Sequence, residues 1–473
     1  MINFLLELEN IIEDTISTVF KIFLFYILIK WYGIIFGISF FFFFFMFYRI
    51  MIYKFYKLIP LSPFDICFLS KNENNRNNLI GILELSDFSF EKFEKLIETI
   101  IIRIKKMRVK LKYRFFNYYW EEVKLSEALK TIEKKEMNKE NLTNYLNEQM
   151  SIYIDIFNKL PFQIKLIKFI NLNEGVILFK FDHILSDSFS LISLMYSLDD
   201  NYSFELIQNE KQIFKDSKKE KLLNWILFPF YGPYTLFLLF LNITGTKISK
   251  KNKNKKNNYL VFYGKKHSLN KFNKVRKENN LSFNQSIISI LFNAYYNIIF
   301  EKNKEKNIYK FIKCIILFWR KYFPLKNNDV ILLNSTGFNF QKFNLINKMN
   351  LNEIIKNPIK DDFSINKVNN SYLNWIILIR EFFSFRIFNL IKKLIIEKEE
   401  IIIQNIPGSK RKIIIEQSEV KNIFLFQNSQ IPLINVISYN NEFNINLVID
   451  NNFEIKGEDI IQQIDNLINL FIK

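Results

Sequence analysis

The feature that most constrains this chain is an uncharged apolar segment near its start. Trp31–Tyr48, WYGIIFGISFFFFFFMFY, holds 18 residues and no charged side chain. As an α-helix it would measure about 27 Å, close to the roughly 30 Å of bilayer hydrocarbon. The aromatic residues at its ends suit a membrane interface, and the phenylalanine run Phe40–Phe45 would leave apolar surface all round. We therefore predict an N-terminal transmembrane helix; the alternative is a buried core helix.

The charges on either side of this segment predict its orientation. Acidic residues precede it and basic residues follow it: Glu7, Glu9, Glu13 and Asp14 on one side, Arg49, Lys54 and Lys57 on the other. Basic flanks stay on the cytosolic side of a membrane. The body of the protein is therefore expected in the cytosol.

A second apolar segment, Leu222–Ile243, contains Pro229, Gly232 and Pro233 in its middle. Prolines there disrupt a single straight helix, so two short helices at the membrane interface are predicted, with a buried helical hairpin as the alternative. The lysine-rich run Lys247–Asn258 that follows is predicted to be a solvated loop.

Composition narrows the class of protein. The chain has 473 residues, of which 49% are hydrophobic, and a net charge of +19. Lysine, asparagine, isoleucine and phenylalanine are abundant throughout, so the charge reflects a general bias, and no nucleic-acid-binding module is recognisable. Two cysteines, Cys67 and Cys314, cannot form a disulfide framework or a cysteine-rich zinc site. We predict no metal and no nucleic-acid partner.

The remaining sequence alternates between strand and helix patterns. Predicted strands are Leu79–Leu85, Val176–Phe181, Leu260–Tyr263 and Phe443–Ile449, and predicted helices follow Ser89 and cover Phe189–Leu198, Phe283–Phe300 and the apolar stripe from Ile460 to Phe471. Such alternation on both sides of the second apolar segment predicts two α/β lobes.

One of only two histidines lies where a catalytic group is expected. The predicted strand Val176–Phe181 leads into Asp182 and His183, and Asp187 comes four residues after His183, just before a helix. Histidine is the usual general base near neutral pH. HxxxD is a short pattern that also fits a structural histidine, but no P-loop, GxGxxG, HExxH or GxSxG motif competes with it. The other histidine, His267 in GKKHSLN, is predicted to lie on the surface.

The sequence around His183 resembles the wax ester synthase/diacylglycerol acyltransferase family. DHILSDS (Asp182–Ser188) is similar to the family's HHxxxDG signature. Further segments follow in the family's order: LSPFD (61–65), KLPFQIKLI (159–167), FNQSIISI (283–290), NSTGF (334–338), NIPGS (405–409) and SYNNEFNINLVID (438–450). Together they cover roughly residues 59 to 472.

The resemblance implies a fold, a reaction and a set of site residues. It implies two chloramphenicol-acetyltransferase-like lobes with an interlobe tunnel, where acyl-CoA meets an acceptor alcohol. His183 would take the hydroxyl proton, and Asp187 would keep the loop in shape. We expect Asp182, Ser188, Asn334, Asn405, Gly408 and Ser438 to bind substrate. Gly408 and Asn405 also fit a simple turn, and Ser438 a core position.

The resemblance also defines expected boundaries, substrates and location. It gives an anchor (1–57), a first lobe (58–215), a membrane-associated linker with the basic loop (216–258) and a second lobe (259–473). Long-chain acyl-CoA is expected as co-substrate with no bound cofactor, and fatty alcohol or diacylglycerol as acceptor. The expected location is the endoplasmic reticulum membrane, with the lipid droplet and the plasma membrane as alternatives.

The sequence departs from the family signature at Asp182, in place of the first His, and at Ser188, in place of the Gly. A third departure is Ser409, where the family's turn has a second Pro. These differences leave open a catalytically inactive lipid-binding or scaffold paralogue on the same fold. A short-chain alcohol acyltransferase is a further alternative.

Overall fold

The computed structural model describes residues 51–62, 65–66, 68–69, 77–114, 117–203, 258–302, 311–319, 329–334, 336–344 and 399–473, together with 23, 26–27, 30, 33 and 47–48. Within these ranges, no helix is both long and apolar enough to cross a bilayer. The predicted spanning segment 31–48 lies outside them except for residues 33 and 47–48, and the segment 222–243 and the basic run to residue 257 lie wholly outside. Both membrane segments therefore stay predictions.

Strands and helices alternate along the described chain. The strands are β1 Ile59–Pro60, β2 Asn78–Ser86, β3 Val109–Arg114, β4 Asn117–Glu122, β5 Ile132–Met137, β6 Phe162–Phe169, β7 Glu174–Asp182, β8 Tyr259–Tyr263, β9 His267–Ser268, β10 Phe311–Trp319, β11 Thr336–Asn344, β12 Ile401–Ile406, β13 Ile414–Ile415, β14 Ser418–Gln427, β15 Leu433–Tyr439 and β16 Glu442–Asp450. The helices are α1 Phe90–Arg103, α2 Leu125–Leu129, α3 Leu142–Ser151, α4 Ser188–Tyr196, α5 Leu269–Glu278, α6 Phe283–Lys302 and α7 Gly457–Phe471, with 3-10 turns at Lys105–Arg108 and Lys139–Asn141.

The first lobe is built on a sheet with the strand order β13-β14-β2-β7-β6-β5. Strands β2 and β7 are continuous apolar runs because both of their faces are buried. On one face Leu79 and Leu83 pack in a core shared with α1 and α4. On the other face Ile80 and Leu178 pack in a core that includes Val448 of the second sheet. The first sheet therefore lies between α1 and α4 on one face and α3 and the second sheet on the other.

The second lobe is built on a sheet with the order β11-β10-β12-β15-β16-β8, and β9 also pairs with β16. Its central pairs, β10 with β12 and β12 with β15, are parallel, and the outer pairs are antiparallel. Helices α6 and α7 pack on one face in a single apolar core. The apolar stripe predicted near the C-terminus forms the buried side of α7.

Strand β14 crosses from the second lobe into the sheet of the first. It pairs antiparallel with β2, from Val420 opposite Leu85 to Gln427 opposite Leu79. The expected boundary at residue 259 therefore does not separate the two sheets, because residues 414–427 complete the first one. An apolar strand pattern carries no information about which sheet the strand joins, so this exchange could not be predicted from the sequence.

The prediction for His267 was wrong. His267 on β9 is 3% exposed, and its Nε2 lies 2.8 Å from Oδ1 of Asp465 on α7. Its ring also lies against Phe443, with centroids 5.5 Å apart. The neighbouring lysines suggested a surface position, but the pairing of β9 with β16 turns the imidazole under α7.

Candidate active site

The loop after β7 holds His183 at the junction of the two lobes. The backbone N–H of Asp182 donates to Pro161 O at 2.8 Å, and that of His183 to Asn77 O at 2.8 Å. Oδ1 of Asp182 accepts from the N–H of Ile184 at 2.9 Å, a local bond that shapes the turn. Asp182, expected to bind substrate, therefore uses one carboxylate oxygen to fix the backbone beside His183.

The imidazole of His183 is 4% exposed and is held on two sides. The ring of Phe68 stacks on it, with centroids 3.7 Å apart and planes 5° from parallel. Its Nδ1 lies 3.0 Å from Oδ1 of Asn334, in the segment between β10 and β11 of the second lobe. The ring orientation is thus fixed by one group from each lobe.

Asn334 joins His183 to a buried carboxylate. Its Nδ2 donates to Oδ1 of Asp65 at 2.8 Å and to the backbone oxygens of His183 and Ile184 at 2.9 and 3.3 Å. We expected Asn334 to bind substrate, but in the structure both ends of its amide contact protein groups. Its side chain is therefore part of the support of His183.

Asp65 in turn binds Lys106, which the sequence analysis did not single out. Lys106 Nζ lies 3.1 Å from each carboxylate oxygen of Asp65, and Asp65 is 3% exposed. Burial lowers the pKa of Lys106, and the charges of Asp65 and Asp187 oppose that shift.

Ser62 orders the LSPFD segment that contains Asp65, because its Oγ accepts from the N–H of Asp65 at 3.0 Å. The LSPFD segment was the available signal for Asp65, whereas Lys106 is one of 66 basic residues and carried none.

Asp187 caps helix α4 and lies at the same junction. Its Oδ1 accepts from the N–H of Ser190 at 2.8 Å, and its own N–H donates to Leu333 O at 3.1 Å. Ser190 Oγ donates to the same Leu333 oxygen at 2.8 Å. A carboxylate at a helix N-terminus satisfies backbone donors and favours the helix dipole. The observed contacts of Asp187 are thus those of a residue that shapes the loop.

Ser188, which stands where the family has Gly, is connected to the crossing strand. Its Oγ donates to Oε1 of Gln427 on β14 at 2.7 Å. The hydroxyl therefore ties the first residue of α4 to the strand that the second lobe contributes to the first sheet.

The other three predicted residues form a separate group at the ends of β12 and β15. Asn405 Nδ2 donates to Oδ1 of Asn284 at 2.7 Å, and Gly408 N–H donates to Ser438 Oγ at 3.3 Å. A Cβ at Gly408 would lie 1.5 Å from the backbone oxygen of Ser438 and 2.5 Å from the hydroxyl of Tyr196, so only glycine fits. Tyr196 ends α4, whereas His183 precedes its start. The nine residues of α4 span about 13 Å, so Gly408 contacts the end of this helix remote from His183.

Two buried tyrosines flank this second group. Burial raises the pKa of Tyr196 far above its usual value, and burial raises the pKa of Tyr439 to about 12. Tyr439 donates to Val420 O at 2.7 Å and accepts from the N–H of Ile413 at 2.9 Å. Both phenols are therefore neutral at physiological pH. Among the described residues, no group of three His, Cys, Asp or Glu side chains is arranged to hold a metal ion.

Comparison with known proteins identifies the fold. No protein-family model and no curated protein sequence matches the chain. In structure it is similar to the wax ester synthase/diacylglycerol acyltransferase from Marinobacter aquaeolei VT8, with a TM-score of 0.54 and 12% identity over 87% of this chain and 98% of the other.

Two further structures have the same architecture. Trichothecene 15-O-acetyltransferase TRI3 from Fusarium sporotrichioides matches with a TM-score of 0.57 and 12% identity, over 87% of this chain and 94% of the other. The first condensation domain of the calcium-dependent antibiotic synthetase matches with a TM-score of 0.58 and 7% identity, over 88% and 95%. The resemblance to the wax ester synthase/diacylglycerol acyltransferases is thus confirmed in the fold: this chain has the two-lobed α/β architecture shared by acyltransferases and condensation domains.

Proposed function

We propose that this protein is a CoA-dependent O-acyltransferase in which His183 is the general base. The observation that carries the proposal is the imidazole of His183, buried at the lobe junction with Nδ1 bound to Asn334. Because that ring is only 4% exposed, we propose that substrates reach it through an interior passage between the lobes. Such a passage would bring donor and acceptor together and supply the proximity that acyl transfer requires.

The proposed reaction transfers the acyl group directly from CoA to the acceptor, with no covalent acyl-enzyme. Nε2 of His183 takes the proton of the acceptor hydroxyl while the alcohol oxygen bonds to the thioester carbon. The carbon–sulfur bond then breaks, and the CoA thiolate takes the proton back from the imidazolium. An imidazole can both accept and return a proton near neutral pH, which suits it to both steps.

Long-chain substrates are proposed from the similar structures and from the sequence. One similar protein carries the name wax ester synthase/diacylglycerol acyltransferase, and another, a starter condensation domain, was solved with C8-CoA. Fatty alcohol and diacylglycerol are therefore the proposed acceptors, and acyl-CoA is the proposed donor.

A membrane location is proposed on the apolar segments. The helical residues 51–56 that follow the predicted anchor expose aromatic side chains: Tyr53 is 59%, Phe55 66% and Tyr56 51% exposed. Aromatic and basic residues together suit the headgroup region of a bilayer. We propose the endoplasmic reticulum membrane with the lobes in the cytosol, where lipid products partition directly into the bilayer.

The proposal is tested by producing the full chain in a cell that makes no neutral lipid. Thin-layer chromatography and mass spectrometry should detect wax esters or triacylglycerol with the wild type and not with His183→Gln. His267→Gln is the matched control, because it removes the other buried imidazole. Absence of ester from the wild type with both acceptors supplied would reject the acyltransferase, and retained binding of acyl-CoA would then identify the inactive paralogue.

A further inference from the structure

The amide of Asn334 has a defined orientation because of its partners. An amide's oxygen and nitrogen are similar in shape, so hydrogen-bond partners decide which is which. On one side of Asn334 stand Oδ1 of Asp65 and the carbonyl oxygens of His183 and Ile184, at 2.8, 2.9 and 3.3 Å. The two carbonyls can only accept hydrogen bonds, and so can an ionised carboxylate. The NH₂ group must therefore face them, which turns the oxygen of Asn334 toward His183.

This orientation determines which imidazole nitrogen carries hydrogen. An amide oxygen accepts and cannot donate, and it lies 3.0 Å from Nδ1 of His183. Nδ1 must then be the protonated nitrogen of the neutral ring, and Nε2 carries the lone pair. In the opposite tautomer, two lone pairs would face each other in a buried site, where the repulsion is poorly screened.

The Asp65–Lys106 pair keeps the side-chain amide of Asn334 from rotating by 180°, which would exchange its oxygen and nitrogen. Lys106 Nζ contacts both oxygens of Asp65 at 3.1 Å, which favours the ionised carboxylate, an acceptor only. Lys106 also balances the charge of Asp65. What reaches the imidazole is therefore the dipole of a neutral amide, and no net negative charge is added beside it.

We infer that Asn334 is a positioning residue that holds His183 in the Nδ1–H tautomer, and that Asp65 and Lys106 fix the orientation of Asn334. This inference rests on the proposed function for its consequence, a base at Nε2.

The tautomer can be measured directly because the chain contains only two histidines. The full chain is labelled with ¹⁵N-histidine in detergent, and long-range proton–nitrogen spectra distinguish a protonated ring nitrogen from an unprotonated one. The signals that vanish in His183→Gln belong to His183. We expect the wild type to carry hydrogen on Nδ1 of His183; hydrogen on Nε2 at neutral pH would overturn the inference whatever any variant does.

Two substitutions at Asn334 separate positioning from general stability. Asn334→Leu removes the acceptor, so hydrogen should move from Nδ1 toward Nε2, and ester formation should fall in proportion to the population of the Nδ1–H form that is lost. Asn334→Asp keeps an oxygen beside Nδ1, and its second oxygen takes the place of the NH₂ group opposite Asp65. One proton must then be shared between the two carboxyl groups, and with that proton in place the Nδ1–H form should be retained. An unchanged tautomer in a folded Asn334→Leu would contradict the assignment.

Asn435→Leu is the matched control. Asn435 is likewise a buried asparagine of the second lobe, and its Nδ2 donates to Leu425 O at 3.0 Å. Its loss should lower stability and leave the His183 spectrum unchanged; an equal spectral change would mean that loosening alone moves the tautomer. Because the spectrum needs no turnover, failure of the tautomer and failure of the proposed acyl transfer are separate results.

Discussion

The two histidines of this chain are both buried, yet they are held in different ways. His183 uses Nδ1 and binds a neutral amide that comes from the other lobe, at 3.0 Å. His267 uses Nε2 and binds the carboxylate of Asp465 within its own lobe, at 2.8 Å. Under the proposed function, the first arrangement places the lone pair on Nε2, the nitrogen that would take the proton of the acceptor alcohol. In His267, Nε2 instead binds Asp465, and this contact links β9 to α7. Burial alone therefore does not identify a catalytic histidine; the partner and the location do.

The sharpest test of this comparison exchanges each ring for an amide. His183→Gln should lower ester formation about 10²- to 10⁴-fold, the usual contribution of a general base, with little change in thermal unfolding. His267→Gln should show the reverse, a lower unfolding temperature with the rate per folded molecule retained. Turnover assays and thermal unfolding of both variants, in the same detergent, check the pair. Loss of turnover in both folded variants would break the comparison.

Removing the carboxylate of Asp465, the partner of His267, is a second test of the structural role of this histidine. Asp465→Ala leaves Nε2 of His267 and the N–H of Lys265, which donates to Asp465 Oδ2 at 3.1 Å, without an acceptor. Each buried group left unsatisfied costs about 1–3 kcal/mol, so the free energy of unfolding and the unfolding temperature should both fall. Asn466→Ala, at an exposed position on the same helix, is the control and should change little. A stable Asp465→Ala with altered turnover would show that the pair acts on the site.

Asp187 is the last residue of the HxxxD motif, and its contacts are those of a helix cap. Asp187→Ala should therefore cost about 1–2 kcal/mol of stability, as loss of a capping side chain does. Asp187→Asn keeps an oxygen for the N–H of Ser190 and should keep most of the stability and turnover. Chemical unfolding and turnover of the two variants check this. A folded Asp187→Asn as inactive as His183→Gln would assign the carboxylate charge to the chemistry.

The smallest expected effect concerns Ser188. Ser188→Gly restores the residue of the family signature and breaks the bond to Gln427, at a cost of about 1 kcal/mol. If the hydroxyl narrows the approach of the thioester, ester formation should rise a few-fold. Gln427→Leu breaks the same bond without making room, so its rate should not rise. An equal rise in both would attribute the effect to the lost bond alone.

The sequence predicted what is local and failed where distant segments meet. The strand before His183 and the helix after it were predicted because apolar runs and capping residues are written in neighbouring positions. The partner of the imidazole, Asn334, is 151 positions away, and Asn334 and Asp65 are 269 apart. A motif resemblance singled out Asn334 but suggested a contact with substrate. Nothing in a lysine-rich sequence marked Lys106, and the lysines beside His267 suggested a surface that β9 and α7 cover.

The exchange of β14 has a mechanical consequence. Seven residue pairs, from Val420–Leu85 to Gln427–Leu79, join a strand of the second lobe to the sheet of the first. The two lobes therefore cannot separate by a hinge motion without breaking this sheet. Under the proposed function, substrate access to the buried imidazole of His183 would then depend on side-chain rotation and loop movement. For the same reason, cleavage of the chain at the linker would leave the first fragment with β2 unpaired on one edge and the second fragment with β13 and β14 lacking their partner strand.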